Sequence, residues 1–376
     1  MNQTLLVVAG EDSGDLHGAE LLRELKARQP DLRIIGVGGP RMSPYLDRKL
    51  ADVKDLAVVG FFEVIKHLPR LQRLFKQILA ATHEERISGA LLIDYPGFNL
   101  RLAKALRKLM PAVQLHQYVC PQVWAWKKGR IPELGTVLNT LYCLFDFEPE
   151  LFHGYPVDAR FVGHPLVELV KPECERASFF TDTGLDPARP LVALLPGSRK
   201  GEIQRLLPPM AELVRRWQTE RPEVQWVLPV APTLDPAFLR AHLAGAPVTL
   251  VQGRTYAARA YADAALVASG TATLETALLG TPFAIVYRLN ELTYQVARHI
   301  VKVPYFGLAN VVAGREVAPE LLQGEVNPRR LGEVLAKLLD PDTARRLRAE
   351  LGEVRGHLGA PGAAGRVAEH LLRQRH

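Results

Sequence analysis

Short apolar runs alternate with stretches of helical periodicity from the first residues onward. Leu5–Val8 predicts a buried strand, followed by a glycine-bearing turn and a helix over about Leu16–Ala27. Ile34–Val37, Ala90–Ile93, Val113–Tyr118 and Leu141–Leu144 predict further strands, with a helix over Leu100–Leu109. After Val162-Gly163-His164-Pro165-Leu166 the chain turns rich in charge, proline and turn residues until about Pro190. The apolar pattern then restarts at Leu191–Leu195, Val224–Pro229, Val248–Val251, Ala265–Ala268 and Phe283–Tyr287. The tail after Asn327 is helical, broken at Asp340-Pro341 and across Gly359–Gly365.

Strands spaced by helices of this size predict parallel, doubly wound sheets. The expected class is α/β, with two Rossmann-like domains facing across a cleft. Residues 1–166 form the first domain, 167–190 a linker and 191–345 the second; 346–376 are helices that pack back on the first. At 376 residues the chain exceeds one ordinary core, which agrees with two domains. Ligands of such sheets bind at the carboxyl ends of the strands.

Composition narrows the classes. With 48% hydrophobic and 23% charged residues the chain is globular rather than disordered. No apolar run reaches the roughly 18 residues of a membrane span, and the acidic start predicts no secretory signal. The scattered Cys120, Cys143 and Cys174 fit a reducing cytoplasm better than a disulfide framework. Residues 54–130 carry 13 Lys and Arg against 5 Asp and Glu, more than the whole-chain surplus of +7. Such a zone suits an anionic membrane surface or nucleic acid. No nucleic-acid-reading module accompanies it, so no nucleic-acid partner is expected.

Four turns between predicted strands and helices carry the candidate chemistry. Ser269, Gly270, Thr271 and Ala272 enter a helix whose free N–H groups suit a diphosphate, with Glu275 one turn on for a ribose diol. A capping box using Glu275 explains the same residues equally well. Pro196-Gly197-Ser198-Arg199 forms a second such turn, where Arg199 offers a forked donor to a departing phosphate. In Ala9–Gly18 the glycine spacing excludes a dinucleotide fingerprint. Glu11, Ser13, Gly14 and Asp15 suit sugar hydroxyls, or simply open a helix. Asp94 ends an apolar strand before a rigid Pro-Gly turn, as a general base would, or a turn cap.

Two further segments stay open on pattern alone. Trp124 and Trp126 beside Lys127-Lys128 fit core anchoring better than lipid contact. Phe61, Phe62, Val64, Ile65 and Leu68 begin an amphipathic stretch that continues to Leu79 with a basic opposite side. Membrane-surface binding and a core-packed helix kinked at Pro69 both fit. Asp146-Phe147-Glu148 and Asp340-Pro341-Asp342 lack companion ligands, and no zinc spacing exists, so no metal is expected.

Taken in order, AGEDSGDLHGA, IDYPGFN, YVCPQVWAWKKGR, FVGHPL, LLPGSRKGEI, ASGTATLETALLGTP and GLANVVAGREVAPELLQ resemble the lipid-A-disaccharide synthases. The resemblance covers residues 7–287 and extends through 307–323; Asp12 and Cys120 depart from the usual residues. It implies a glycosyltransferase of GT-B fold, with an N-terminal acceptor domain and a C-terminal UDP-sugar domain. The expected chemistry is a single inverting displacement in which fixed positive charges replace a metal, with no cofactor. The resemblance implies transfer of 2,3-diacylglucosamine from its UDP derivative to 2,3-diacylglucosamine 1-phosphate. Asp94 and Arg199 match the family's essential aspartate and arginine, and Glu275 and Asn310 match nucleotide-sugar-site residues. Acylated substrates also favour Phe61, Phe62, Val64, Ile65 and Leu68 as the contact with the cytoplasmic membrane face. The rival readings are another UDP-GlcNAc enzyme (a MurG-like transferase or a 2-epimerase) and a basic nucleic-acid-binding protein.

Overall fold

The computed structural model describes residues 4–56, 61–125, 127–290, 294–295 and 304–374, with the side chains of 61–68 outside that description. It divides into two compact units, 1–165 with 359–376, and 166–358. Each is a parallel sheet with helices on both faces.

In the first unit the strands are β1 (Thr4–Ala9), β2 (Arg33–Val37), β3 (Arg48–Ala51), β4 (Gly89–Ile93), β5 (Gln114–Tyr118), β6 (Thr140–Cys143) and β7 (Asp158–Phe161). Their order is β3-β2-β1-β4-β5-β6-β7. Every residue of β1 and β4 is buried, as expected of central parallel strands covered on both sides. The helices are α1 (Asp12–Arg28), α2 (Val53–Leu56), α3 (Phe61–Glu84), α4 (Pro96–Leu109) and α5 (Arg130–Val137). Helix α1 starts four residues earlier than the apolar periodicity predicts. Glu11 is its N-cap, and Asp12 and Asp15 occupy the first turn, where carboxylates favour the helix dipole.

The second unit opens with α6 (Leu166–Leu169), which starts at the last residue expected of the first domain, and α7 (Arg176–Thr183), inside the segment expected as a linker. Its strands are β8 (Leu191–Leu195), β9 (Gln225–Val230), β10 (Thr249–Gln252), β11 (Ala264–Ala268), β12 (Phe283–Tyr287) and β13 (Glu320–Leu322), ordered β10-β9-β8-β11-β12-β13. The helices are α8 (Lys200–Glu220), α9 (Pro236–Leu243), α10 (Thr255–Ala260), α11 (Thr271–Leu278), α12 (Leu308–Ala313), α13 (Pro328–Leu338) and α14 (Pro341–His357). Helix α14 packs on α11 and α12. The chain then re-enters the first unit, where α15 (Ala363–Arg373) buries Val367, Ala368 and Leu371 among Leu21, Leu22 and Leu25 of α1.

Both strand orders reverse direction once, between β1 and β4 and between β8 and β11. Loops leaving the carboxyl ends of those strands diverge and leave a crevice, the usual ligand position in this architecture. All four candidate turns sit at those two points. From Leu71 onward the amphipathic stripe of α3 is core: Leu74 and Ile78 are buried, with Leu71 and Phe75 packed against them. Phe61, Phe62, Val64, Ile65 and Leu68 lie outside the described side chains. Among the described residues no helix is long and apolar enough to cross a membrane.

Candidate active site

In the first unit, strand register sets Ala9 beside Ile93 and Ile93 beside Tyr118. Asp94 therefore emerges where α1 begins, and the Ser13 hydroxyl donates to its Oδ2 at 3.4 Å. The Asp94 backbone is held from three sides. Its N–H donates to Tyr118 O at 2.9 Å, and its carbonyl accepts from Asn99 Nδ2 at 2.7 Å and Gln117 Nε2 at 3.1 Å. Asp94 and Tyr95 both adopt left-handed backbone, φ 49° and 47°. Two successive non-glycine residues in that region store strain of about 1–3 kcal/mol each, a cost that clusters at functional sites. The Tyr95 ring fits because residue 10 is glycine: a Cβ there would lie 2.3 Å from the ring. Tyr95, with no side-chain cap bond, is the N-cap of α4. The half-buried Asp94 carboxylate is therefore left to the crevice rather than spent as a cap.

The neighbouring loop needs correction. Asp15 is not placed for a sugar: it is buried and accepts from the N–H groups of Gly39 (2.7 Å), Arg41 (3.0 Å) and Met42 (3.0 Å). It ties α1 to the loop after β2. Gly14 is also buried, packed against Ala9. Glu11 and Ser13 are exposed at the helix start. Two histidines absent from the sequence-based set share this corner. Burial holds His17 below the ordinary imidazole range, opposed by the Asp94 charge. His164 is held down to about 3 by burial and by His17. Their distance in sequence from Asp94 hid them.

Trp124 is an anchor, packing edge to face on Phe147 at 5.7 Å and donating its indole N–H to Glu148 Oε1 at 3.2 Å. Trp126 lies outside the described residues. Glu148, fully buried, also accepts from Leu144 N and Phe145 N, and burial pushes its carboxyl up to about 7. Cys120, Cys143 and Glu148 keep their donor atoms within 4.8 Å of one another, a juxtaposition that sequence spacing concealed. This set could hold a thiophilic metal only by releasing thiol protons. The Cys143 contact and burial instead push the Cys120 thiol well up.

In the second unit, Leu195 pairs with Val267 and Ala268 with Val286, so the turns after β8 and β11 lie side by side. Together they line a cavity of about 410 Å³ with Gly197, Ser198, Arg199, Ser269, Gly270, Thr271, Ala272 and Glu275. Gly270, at φ 146° and ψ −160°, adopts a backbone open only to glycine. Among the described residues the N–H groups of Gly270, Thr271 and Ala272 donate to no partner, leaving the start of α11 open to an anion. Glu275 forms no capping box. Its carboxylate accepts from Tyr256 OH at 3.2 Å and pairs with the buried Arg259. Arg259 lines the cavity too, yet reads in sequence as an ordinary basic position of a short helix.

The second turn differs from expectation. Glu202 Oε2 already accepts the N–H groups of Ser198 (3.0 Å) and Arg199 (3.2 Å), so Ser198 presents no free N–H cradle. The Arg199 side chain stays 84% exposed, with one 3.2 Å bond to Glu202 Oε1, and is free to swing. Asn310 is corrected as well. It does not line the cavity, and its buried amide is fully bonded to Val317, Ala318 and Glu320. Glu320 in turn accepts from Phe306 N and Gly307 N at 2.9 Å, and Ser269 Oγ donates to Phe306 O at 2.8 Å. Asn310 thus supports the Ser269 turn from behind.

The family model of Lipid-A-disaccharide synthetase matches residues 5–353. The chain belongs to this family. A lipid-A-disaccharide synthase of Anaeromyxobacter dehalogenans (strain 2CP-C) is 43% identical over 99% of the chain and 97% of the relative. That of Myxococcus xanthus (strain DK1622) is 43% identical over 98% and 96%. The enzyme is accordingly a glycosyltransferase of lipid A biosynthesis that takes a sugar nucleotide and an acceptor, and the nucleic-acid reading is set aside. Among solved structures, the UDP-GlcNAc 2-epimerase of Neisseria meningitidis superposes with TM-score 0.64 at 11% identity, covering 99% of this chain and 100% of that one. The glycotransferase of kitacinnamycin gives 0.62 at 18%, covering 99% and 98%. These share the GT-B fold of a lipid-A-disaccharide synthetase; at such identity the likeness extends to fold alone.

Proposed function

We propose that the enzyme joins UDP-2,3-diacylglucosamine to 2,3-diacylglucosamine 1-phosphate, forming a β-1,6-linked disaccharide 1-phosphate and releasing UDP. The observation that carries this reading is the paired turns of the second unit, where a glycine-built helix start and a swinging arginine line one cavity. In one inverting displacement, Asp94 accepts the proton of the acceptor's 6-hydroxyl as that oxygen attacks the donor's anomeric carbon. The transition state carries oxocarbenium character. The leaving diphosphate settles on the N–H groups of Gly270–Ala272, and Arg199 exchanges Glu202 for a phosphate oxygen. Glu275, oriented by Arg259 and Tyr256, is the group for the ribose diol.

Fixed positive groups here take the part that a divalent cation plays elsewhere, so the reaction is proposed to need no metal. The basic zone of residues 54–130 and the apolar start of α3 support residence at the inner face of the cytoplasmic membrane. The test is UDP release from the two lipid substrates, with and without chelator. Asp94→Asn is the matching variant, because Asn tolerates left-handed backbone as Asp does. Turnover should fall by about 10²–10⁴-fold, the usual worth of a general base, with unchanged melting. Turnover close to that of the unmodified enzyme would refute the role of Asp94, and chelator-sensitive turnover the metal-free step.

A further inference from the structure

In the second unit β8 and β11 carry the phosphate-facing turns at their carboxyl ends. A separate cavity of about 530 Å³ lies at their amino ends, lined by Pro190 just before β8 and Asp263 just before β11. At ~3.3 Å per residue, the length of these strands sets the two places about 16 Å apart. The volume falls within the roughly 300–1,000 Å³ of small-molecule sites. Segments distant in sequence bring four arginines to it: Arg176 from α7, Arg189 from the approach to β8, and Arg345 and Arg348 from one face of α14. Asp263 is the single carboxylate of the lining, and its Oδ2 already accepts Leu191 N at 2.9 Å. Four cations less one anion leave a surplus of three positive charges.

These charges are held but not cancelled. Arg189 donates to Glu223 O at 3.0 Å and Pro222 O at 2.6 Å. Arg176 donates to Pro187 O at 3.2 Å and lies 4.6 Å over the Phe180 ring. Backbone carbonyls and a ring face orient a guanidinium while leaving its charge in place. Among the described residues Arg176, Arg189 and Arg348 join no ion pair. Arg345 has one with Asp342, whose side chains are 78% and 87% exposed, so solvent screens it. Any one of these arginines would be an ordinary solvated position; their convergence on one recess is not. The forked guanidinium matches phosphate oxygens in pairs, and Leu338 and Leu339 add apolar surface beside the cations.

We propose that this cavity is a second anion site, which takes a soluble di- or triphosphate ester. Its phosphates lie among the four arginines and its organic part against Leu338 and Leu339. The charges meet in a recess instead of spreading over a flat face, which selects a compact solute over a bilayer surface. The site stands apart from the crevice and does not depend on the reaction assigned there.

Titration calorimetry with inorganic tripolyphosphate reads the site without turnover. Arg345→Glu with Arg348→Glu alters two exposed helix positions and leaves Arg176 and Arg189 on their carbonyls. The unmodified protein should bind tripolyphosphate, and this variant should weaken that binding about tenfold or more, with melting temperature and UDP affinity unmoved. Arg216→Glu with Arg329→Glu makes the same change of charge outside the cavity and should leave the binding intact. Gly270→Ala, at the donor turn, should weaken UDP and spare the tripolyphosphate binding that the α14 variant loses. Equal weakening by the two arginine pairs would reduce the effect to net charge and overturn the site. Absence of tripolyphosphate binding, or its loss in step with UDP across these variants, overturns it too. Phosphatidylglycerol vesicles that need Arg345 and Arg348 and resist competition by tripolyphosphate would make the ligand a lipid headgroup and refute the soluble ester.

Discussion

The bonds of Asn310 allow its replacement to be worked through in numbers. Its amide oxygen accepts Val317 N and Ala318 N at 2.9 Å each, and its amide nitrogen donates to Ala318 O and Glu320 Oε1 at 2.8 Å. Asn310→Ala leaves two buried N–H groups and one buried carbonyl unbonded, while Glu320 keeps Phe306 N and Gly307 N. At about 1 kcal/mol for each lost partner, the second unit loses about 3 kcal/mol, more if water stays excluded. Against the roughly 5–15 kcal/mol of a typical domain the variant still folds, but less securely. Loosening Glu320 frees the Phe306 carbonyl that fixes Ser269, so donor KM should rise along with it. Peptide-resolved hydrogen exchange over 307–322, paired with UDP-release kinetics, reads both effects. Full native protection of those amides together with impaired kinetics would refute the reasoning, because it would make Asn310 a direct ligand rather than a support.

Other outcomes follow from the same geometry. Gly270→Ala meets no atom within 4 Å, yet forces Ala into glycine-only backbone at a cost of about 1–3 kcal/mol. UDP affinity by calorimetry should drop by about five- to a hundredfold, since roughly 1.4 kcal/mol is one decade. Asp15→Ala strips three backbone donors of their acceptor and should lower first-unit stability by about 3 kcal/mol. Urea unfolding is the check, and an unchanged midpoint would restore Asp15 to the substrate-facing set. Glu148 and His164 act oppositely with pH. The Glu148 carboxyl, raised to about 7, contributes stability that is full below its ordinary 4.5 and lost as pH climbs through about 7. The His164 imidazole, lowered to about 3, contributes stability that is full above 6.5 and lost as pH falls toward about 3. Between pH 4.5 and 6.5 the slopes offset. Glu148→Gln should therefore expose a loss of up to roughly 1.4 kcal/mol per pH unit toward acid. An unchanged pH profile of the urea midpoint in that variant would refute the pairing.

The core strands were legible because strands covered on both faces must be apolar. Leu191–Leu195 and Phe283–Tyr287 coincide with β8 and β12 end to end. The strands that went unseen are β3, β7 and β13, which are RKLA, DARF and ELL. All three are sheet edges, where one neighbour suffices and charged residues guard the free side. Helix α1 was placed late for a related reason. Its first turn is stabilised by its dipole and by Asp15, which leave no apolar periodicity.

At the site, the motifs marked turns that the structure places at the two strand-order reversals, while the partners of each side chain stayed hidden. Glu275 serves Arg259 rather than a cap, Glu202 takes the N–H groups expected for phosphate, and Asn310 faces inward. Each depends on groups brought together from distant segments.

What the chain determined unaided is its alternation of buried strands and helices, hence two parallel sheets, and the family to which its ordered motifs point. Hydrophobic periodicity is a local property, so it survives reading in one dimension. Only the tertiary structure decided which carboxylates are spent on the scaffold, such as Asp15 and Glu148, and which one, Asp94, is left to the crevice. A buried charge must find its donors in three dimensions, and nothing in its immediate sequence says where they are.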